Sequence, residues 1–154
     1  MIFALGGGKK VNNILSGATW DDGYLNSSGT PTAPDATKKE RYTVDYLTAA
    51  PGNWIVCTAL KTTSSNFWVS VANYKSDQSY ISRLLPNGYS ACAQDTESGL
   101  YIYAIGITLP ANTAYVRFSS RTYGEGYAYM TPAADFAAAI KSGTFSMPFV
   151  DMWG

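Results

Sequence analysis

Leu109-Pro110-Ala111-Asn112-Thr113-Ala114-Tyr115-Val116-Arg117-Phe118-Ser119 decides the fold. Pro110 through Asn112 punctuates the chain, because proline cannot donate to a ladder and asparagine tolerates tight turns. Beyond this turn the residues alternate. Ala114, Val116 and Phe118 share one face, while Tyr115 and Arg117 share the other. That period of two belongs to a strand with one buried side. Arg41-Tyr42-Thr43-Val44-Asp45-Tyr46-Leu47 repeats the pattern, with Tyr42, Val44 and Tyr46 on a common face.

Working outward, β-branched and aromatic runs predict further strands at 54–62, 67–74, 80–84, 100–109 and 126–130. Asp22-Gly23, Ser28-Gly29, Pro51-Gly52, Asn87-Gly88 and Ser98-Gly99 mark the turns between elements. Many short strands separated by Gly and Pro turns specify an all-β antiparallel sandwich rather than a parallel α/β sheet. One helix is expected late. Thr131 can cap it, Pro132 suits its first position, and Ala133, Phe136, Ala137 and Ile140 recur at helical spacing before Gly143. The narrow apolar stripe places this helix across one end of the sandwich. The resulting division is an N-terminal arm at 1–12, a sandwich at 13–130, and a helix with an apolar tail at 131–154. Phe145, Met147, Phe149, Met152 and Trp153 are too apolar for a free tail, which either folds back or docks on a neighbouring subunit.

Composition removes several functions. The 154 residues favour one domain with a real core. Eleven basic residues balance eleven acidic ones, so no basic field exists to hold a nucleic acid. Histidine is absent, which removes the usual general base and the commonest metal ligand. Cys57 and Cys92 alone cannot close a zinc site, and they either pair or remain buried thiols. No metal and no cofactor is expected. Met1–Gly8 lacks the basic start and long apolar stretch of a signal peptide, and no segment has the length of a membrane span; a soluble protein is expected.

The ordered motifs go further. Asn13-Ile14-Leu15 opens the chain, and Trp20-Asp21-Asp22-Gly23-Tyr24 comes after it. Thr43-Val44-Asp45-Tyr46, Val71-Ala72-Asn73-Tyr74 and the Pro110–Phe118 stretch come next. This set resembles the carbohydrate-binding-like jelly-roll domains of bacteriophage tail, baseplate and receptor-binding proteins, over roughly residues 13–120. The resemblance implies a jelly roll in a virion, acting at the bacterial surface. Its partners would be host cell-wall or surface polysaccharide and other tail or baseplate proteins, with homo-oligomerisation left open. The arm and the C-terminal helix and tail lie outside it.

Sugar binding needs flat aromatic faces and a few fixed polar groups. Tyrosine is in excess, with 12 Tyr against 6 Phe, and it offers a ring and a hydrogen-bonding tip. Trp20, Asp22 and Tyr24 form one candidate site, with plugging of the sandwich end as the alternative for the two rings. Trp68 and Tyr74 share strand parity and form a second, if Phe67, Val69 and Val71 face the core. Arg117 is a third candidate, or else pairs with Asp45. Tyr123 and Tyr127 bracket Gly124-Glu125-Gly126 in a fourth, unless that segment is simply a tight hairpin.

Catalysis is not expected. Asp21 with Asp22, and Asp95 with Glu97, are adjacent acids in turns, whereas a glycosidase needs two carboxyls facing across a cleft. The expected function is therefore non-catalytic saccharide binding by a phage tail or baseplate module. The rival is a structural virion protein, a decoration or scaffold subunit, that uses its surfaces only for protein contacts.

Overall fold

A computed structural model describes residues 9–10, 12–61, 68–84, 93–141, 145–146 and 149–154. In chain order the strands are β1 (Lys9–Lys10), β2 (Trp20–Asp22), β3 (Tyr24–Leu25), β4 (Pro31–Thr32), β5 (Glu40–Thr43), β6 (Leu47–Thr48), β7 (Gly52–Leu60) and β8 (Val69–Tyr74). They continue with β9 (Tyr80–Leu84), β10 (Ala93–Gln94), β11 (Tyr101–Leu109), β12 (Tyr115–Arg121) and β13 (Gly126–Pro132). The helix α1 (Ala133–Lys141) precedes β14 (Phe145–Ser146) and β15 (Val150–Asp151).

Two antiparallel sheets face each other. One runs β10-β11-β7-β13-β15, and the other runs β2-β5-β12-β8-β9 with β6 also on β12. The chain crosses between them repeatedly: β5 lies in the second sheet, β7 in the first, β8 and β9 in the second, then β11, β12 and β13 alternate. Late strands β12 and β13 thus insert beside early strands β5 and β7, which is the wrapping of a jelly roll. The expected all-β sandwich with one short helix is the fold.

Alternation builds the core between the sheets. Val56, Leu60, Ile107, Leu109, Ala128 and Met130 come from one side; Val69, Val71, Val116 and Phe118 come from the other. Asn13 closes the first sheet without forming a strand. Its Nδ2 donates to the Ala128 carbonyl at 3.1 Å and its Oδ1 accepts the Met130 N–H at 3.0 Å, while the Ile14 N–H reaches the Met130 carbonyl. A side-chain amide thereby imitates a strand backbone, and Leu15 enters the core behind it.

Several expectations need correction. The strand predicted over 41–47 breaks after Thr43. Tyr42 pairs with Ser119 and Leu47 with Val116, so five residue steps oppose three and the excess bulges outward. Val44 is consequently exposed rather than sharing a face with buried Tyr42. Thr131 and Pro132 do not start the helix, because their pairing with Ile55 and Trp54 keeps both in β13. Nor does α1 lie across an end of the sandwich. Phe136 packs over Cys57, Ala59, Leu100, Tyr129 and Phe149 on the outer face of the first sheet. Gly143 and Cys92 lie outside the described residues. Residues 149–154 fold back on the domain: Val150 and Asp151 pair with β13, and Met152 is fully buried.

A further layer covers the second sheet. The β3–β4 hairpin lies across its outer face, where Leu25 packs with Tyr42, Ala72 and Tyr74. Tyr74 Oη donates to the Gly29 carbonyl at 3.0 Å and Tyr80 Oη to the Ser27 carbonyl at 2.6 Å. Gly29 has φ +71°, and a Cβ there would stand 2.6 Å from the Tyr80 ring and 2.8 Å from Tyr74 Oη. Gly29→Ala should therefore cost about 1–3 kcal/mol through left-handed strain and overpacking, seen as a lower urea midpoint.

The buried tyrosines add a pH dependence. Burial pushes the phenols of Tyr42, Tyr74, Tyr103 and Tyr129 above the ordinary value of 10. A phenol whose folded pKa is raised contributes stability that is complete below 10 and declines as pH rises towards the folded value. Absorbance titration should show these buried tyrosines ionising above 10, together with the loss of tertiary circular dichroism. Smooth titration of all of them near 10 in the folded state would contradict the buried cluster.

Candidate functional site

Tyr24 on β3 and Trp68 immediately before β8 meet edge to face, with ring centroids 5.8 Å apart. The hairpin that seals the outer face at Tyr74 stops short of this end and leaves a cleft. Its volume is about 490 Å³, within the range of ligand pockets, and Tyr24, Ala33, Pro34, Asp35, Glu40, Trp68, Arg83 and Arg121 line it. The Arg121 guanidinium lies 5.5 Å from the Trp68 ring centroid. Its Nε and Nη2 donate to Glu40 Oε1 at 3.1 and 3.0 Å. Arg83 Nη1 donates to the Leu25 carbonyl at 3.0 Å, which ties the hairpin to β9.

The register explains this constellation. Glu40 and Arg121 are direct partners across β5 and β12. Glu40 is only 1 % exposed, and its Oε2 has no hydrogen-bond partner among the described residues. A buried carboxylate oxygen with nothing donating to it is costly, and a ligand hydroxyl or amide would satisfy it. Asp35 lies on the rim. Hydrogen bonds from the Thr37 side chain and backbone, with Lys38 beside it, hold its carboxyl down to about 2. It is therefore ionised, and an acceptor, at neutral pH.

The expected site residues disperse around this centre. Tyr24 and Trp68 come together, although the sequence pattern puts them in different candidate sites. Trp20 instead packs edge to face on Phe118 at 5.9 Å and supports the core. Asp22 is taken up by an ion pair with Arg41. Tyr74 is not on a platform with Trp68, because the β3–β4 hairpin buries it to 3 % exposure. Arg117 is also buried, and it does not pair with Asp45. Its Nε donates to the Thr43 carbonyl at 3.2 Å, and its guanidinium lies over Tyr46 and Tyr42 at 5.0 and 5.6 Å. Asp45 accepts the Thr19 N–H instead.

Tyr127 belongs to the other sheet, packed against the cluster around Tyr129 and Phe149. Tyr123 sits in a turn at φ +55°, with its N–H on the Lys38 carbonyl. The adjacent acids do local work: Asp95 accepts from Ser98 in a turn, whereas Asp21 and Asp22 lie in β2 rather than in a turn, and Asp21 accepts from the Asp22 N–H.

Sequence pattern alone does not single out Glu40, Arg83 or Pro34. One signal exists, since extending the alternation at Tyr115 and Arg117 by four residues reaches Arg121. The register that sets Glu40 opposite it has no such signal.

Fold and cleft together define a jelly-roll β-sandwich with a mixed aromatic and charged cleft on one outer face. No protein-family model matches the chain, and no curated protein is a significant match to it. No helix is long and apolar enough to cross a membrane among the described residues.

Proposed function

We propose that this domain is a non-catalytic saccharide-binding module, and that the Tyr24–Trp68 cleft is its site. One observation carries the reading: two aromatic rings, two arginines and a buried carboxylate whose Oε2 has no partner among the described residues line a single cleft. The exposed parts of the rings would take the C–H face of a pyranose. Arg83 would donate to ring hydroxyls, while Glu40 and Asp35 would accept from them. The motif order supports placing the module in a phage tail or baseplate, alongside other virion proteins. Many copies on a particle would raise a weak affinity at each site.

Fluorescently tagged protein on candidate host cells and on their wall polysaccharides tests this. Binding should be saturable and competed by free polysaccharide. Trp68→Ala should weaken it by about 2 kcal/mol, roughly thirtyfold, as for a central anchor. Tyr123→Ala, outside the cleft, should bind as wild type. Folding of each variant is checked by thermal unfolding. A folded Trp68→Ala that binds unchanged would exclude the cleft.

A structural virion role is the second reading, favoured by the burial of Tyr74 and Arg117. It predicts no binding to any wall polysaccharide, even for protein clustered on beads.

A further inference from the structure

A second, smaller cleft adjoins the first. It has a volume of about 190 Å³ and is lined by Asp22, Pro34, Asp35, Ala36, Lys39, Glu40 and Trp153. Pro34, Asp35 and Glu40 also line the larger cleft, so they form the wall that the two share. Alone it falls below the size of ordinary ligand pockets, about 300 Å³ and upward. As a continuation of its neighbour it lengthens the site.

Trp153 gives this extension a ring. It is 37 % exposed, the one tryptophan among the exposed large hydrophobics of the described residues. Its exposure is not looseness. Nε1 donates to Thr122 Oγ1 at 3.0 Å, and the backbone N–H donates to Asp151 Oδ1 at 2.9 Å. The Arg41 guanidinium lies 4.6 Å from the ring centroid and is itself fixed by Asp22 and by the Met152 carbonyl. A ring fixed in advance loses little entropy when a ligand stacks on it.

Charge does not select the ligand at this end. Asp22 is paired with Arg41, Asp35 with Lys38 and Glu40 with Arg121, and Lys39 also lines the smaller cleft.

From this geometry we infer that Trp153 forms a second subsite, so that the ligand is an oligosaccharide of at least two residues crossing the Pro34–Asp35 wall. This rests on the saccharide reading of the larger cleft. The Trp153 subsite comes from the C-terminal tail, which the motif resemblance does not reach.

An array of neutral and acidic oligosaccharides, graded from one to six residues, tests it with the full chain. Affinity for the glycans that bind should rise on the order of tenfold from one residue to two or three. Trp153→Ala should keep the affinity for the shortest ligand and lose the rise. Ala36→Trp, which fills the smaller cleft from its exposed wall and leaves the tail intact, should do the same. Trp68→Ala should lose both. A rise with length that survives both Trp153→Ala and Ala36→Trp would overturn the subsite and leave the larger cleft standing. No binding to any glycan would overturn the saccharide reading together with the subsite.

Discussion

Glu40→Ala should lower the unfolding free energy by about 3–5 kcal/mol, the cost of breaking a buried ion pair from one side. Glu40 is 1 % exposed, and the Arg121 side chain is 17 % exposed. Removing the carboxylate takes away the acceptor of Arg121 Nε and Nη2 in a largely buried position beside Trp68. Urea unfolding should show the midpoint falling while the slope stays constant. The double variant Glu40→Leu with Arg121→Met should recover much of the loss, because it removes both desolvation costs and restores apolar volume. A loss below about 1 kcal/mol for Glu40→Ala would place the pair among solvent-screened surface bridges. The carboxylate would then not be buried as described.

Strands are more legible in this sequence than the contacts between them. Alternation at 115–118 groups Val116 and Phe118 on one face, and at 69–71 it separates Val69 and Val71 from Trp68 while leaving the inner set open; the structure puts all four valine and phenylalanine side chains in the core. Alternation says nothing of what covers the outer face. Tyr74 and Arg117 are candidates for binding because their parity points away from the core. They are buried because the β3–β4 hairpin and the bulge at 44–46 fold over them, and both depend on register. The motifs around Thr43, Asp45 and Gly23 are structural joints. Thr43 Oγ1 accepts the Phe118 N–H at 2.9 Å where the ladder breaks, and Asp45 holds the Thr19 backbone. At Gly23, with φ +128°, a Cβ would stand 2.3 Å from the Thr32 carbonyl oxygen. The cleft draws only Tyr24 from those motifs. Its remaining members come from strand ends and loops, where a single sequence carries little positional signal.

Arg117→Ala should destabilise the domain by about 2–4 kcal/mol although the side chain has no carboxylate partner among the described ion pairs. Beside the bulge the Thr43 carbonyl accepts from Arg117 Nε. The guanidinium is 6 % exposed and is sandwiched near the faces of Tyr42 and Tyr46, so its lost hydration is offset by ring quadrupoles rather than by a counter-ion. Truncation would forfeit those contacts, open a cavity beneath the hairpin and take the Nε donor from the Thr43 carbonyl. Arg117→Met separates the causes. It fills the volume but removes the charge and the Nε donor, so it should lose about 1–2 kcal/mol, less than alanine. Arg117→Lys should not rescue, since an ammonium offers no planar fork to lie on two rings while reaching Thr43. If methionine matched wild type, the cation would be a tolerated passenger at this bulge. If all three variants kept full stability yet lost saccharide binding, Arg117 would return to the site from which its burial removes it.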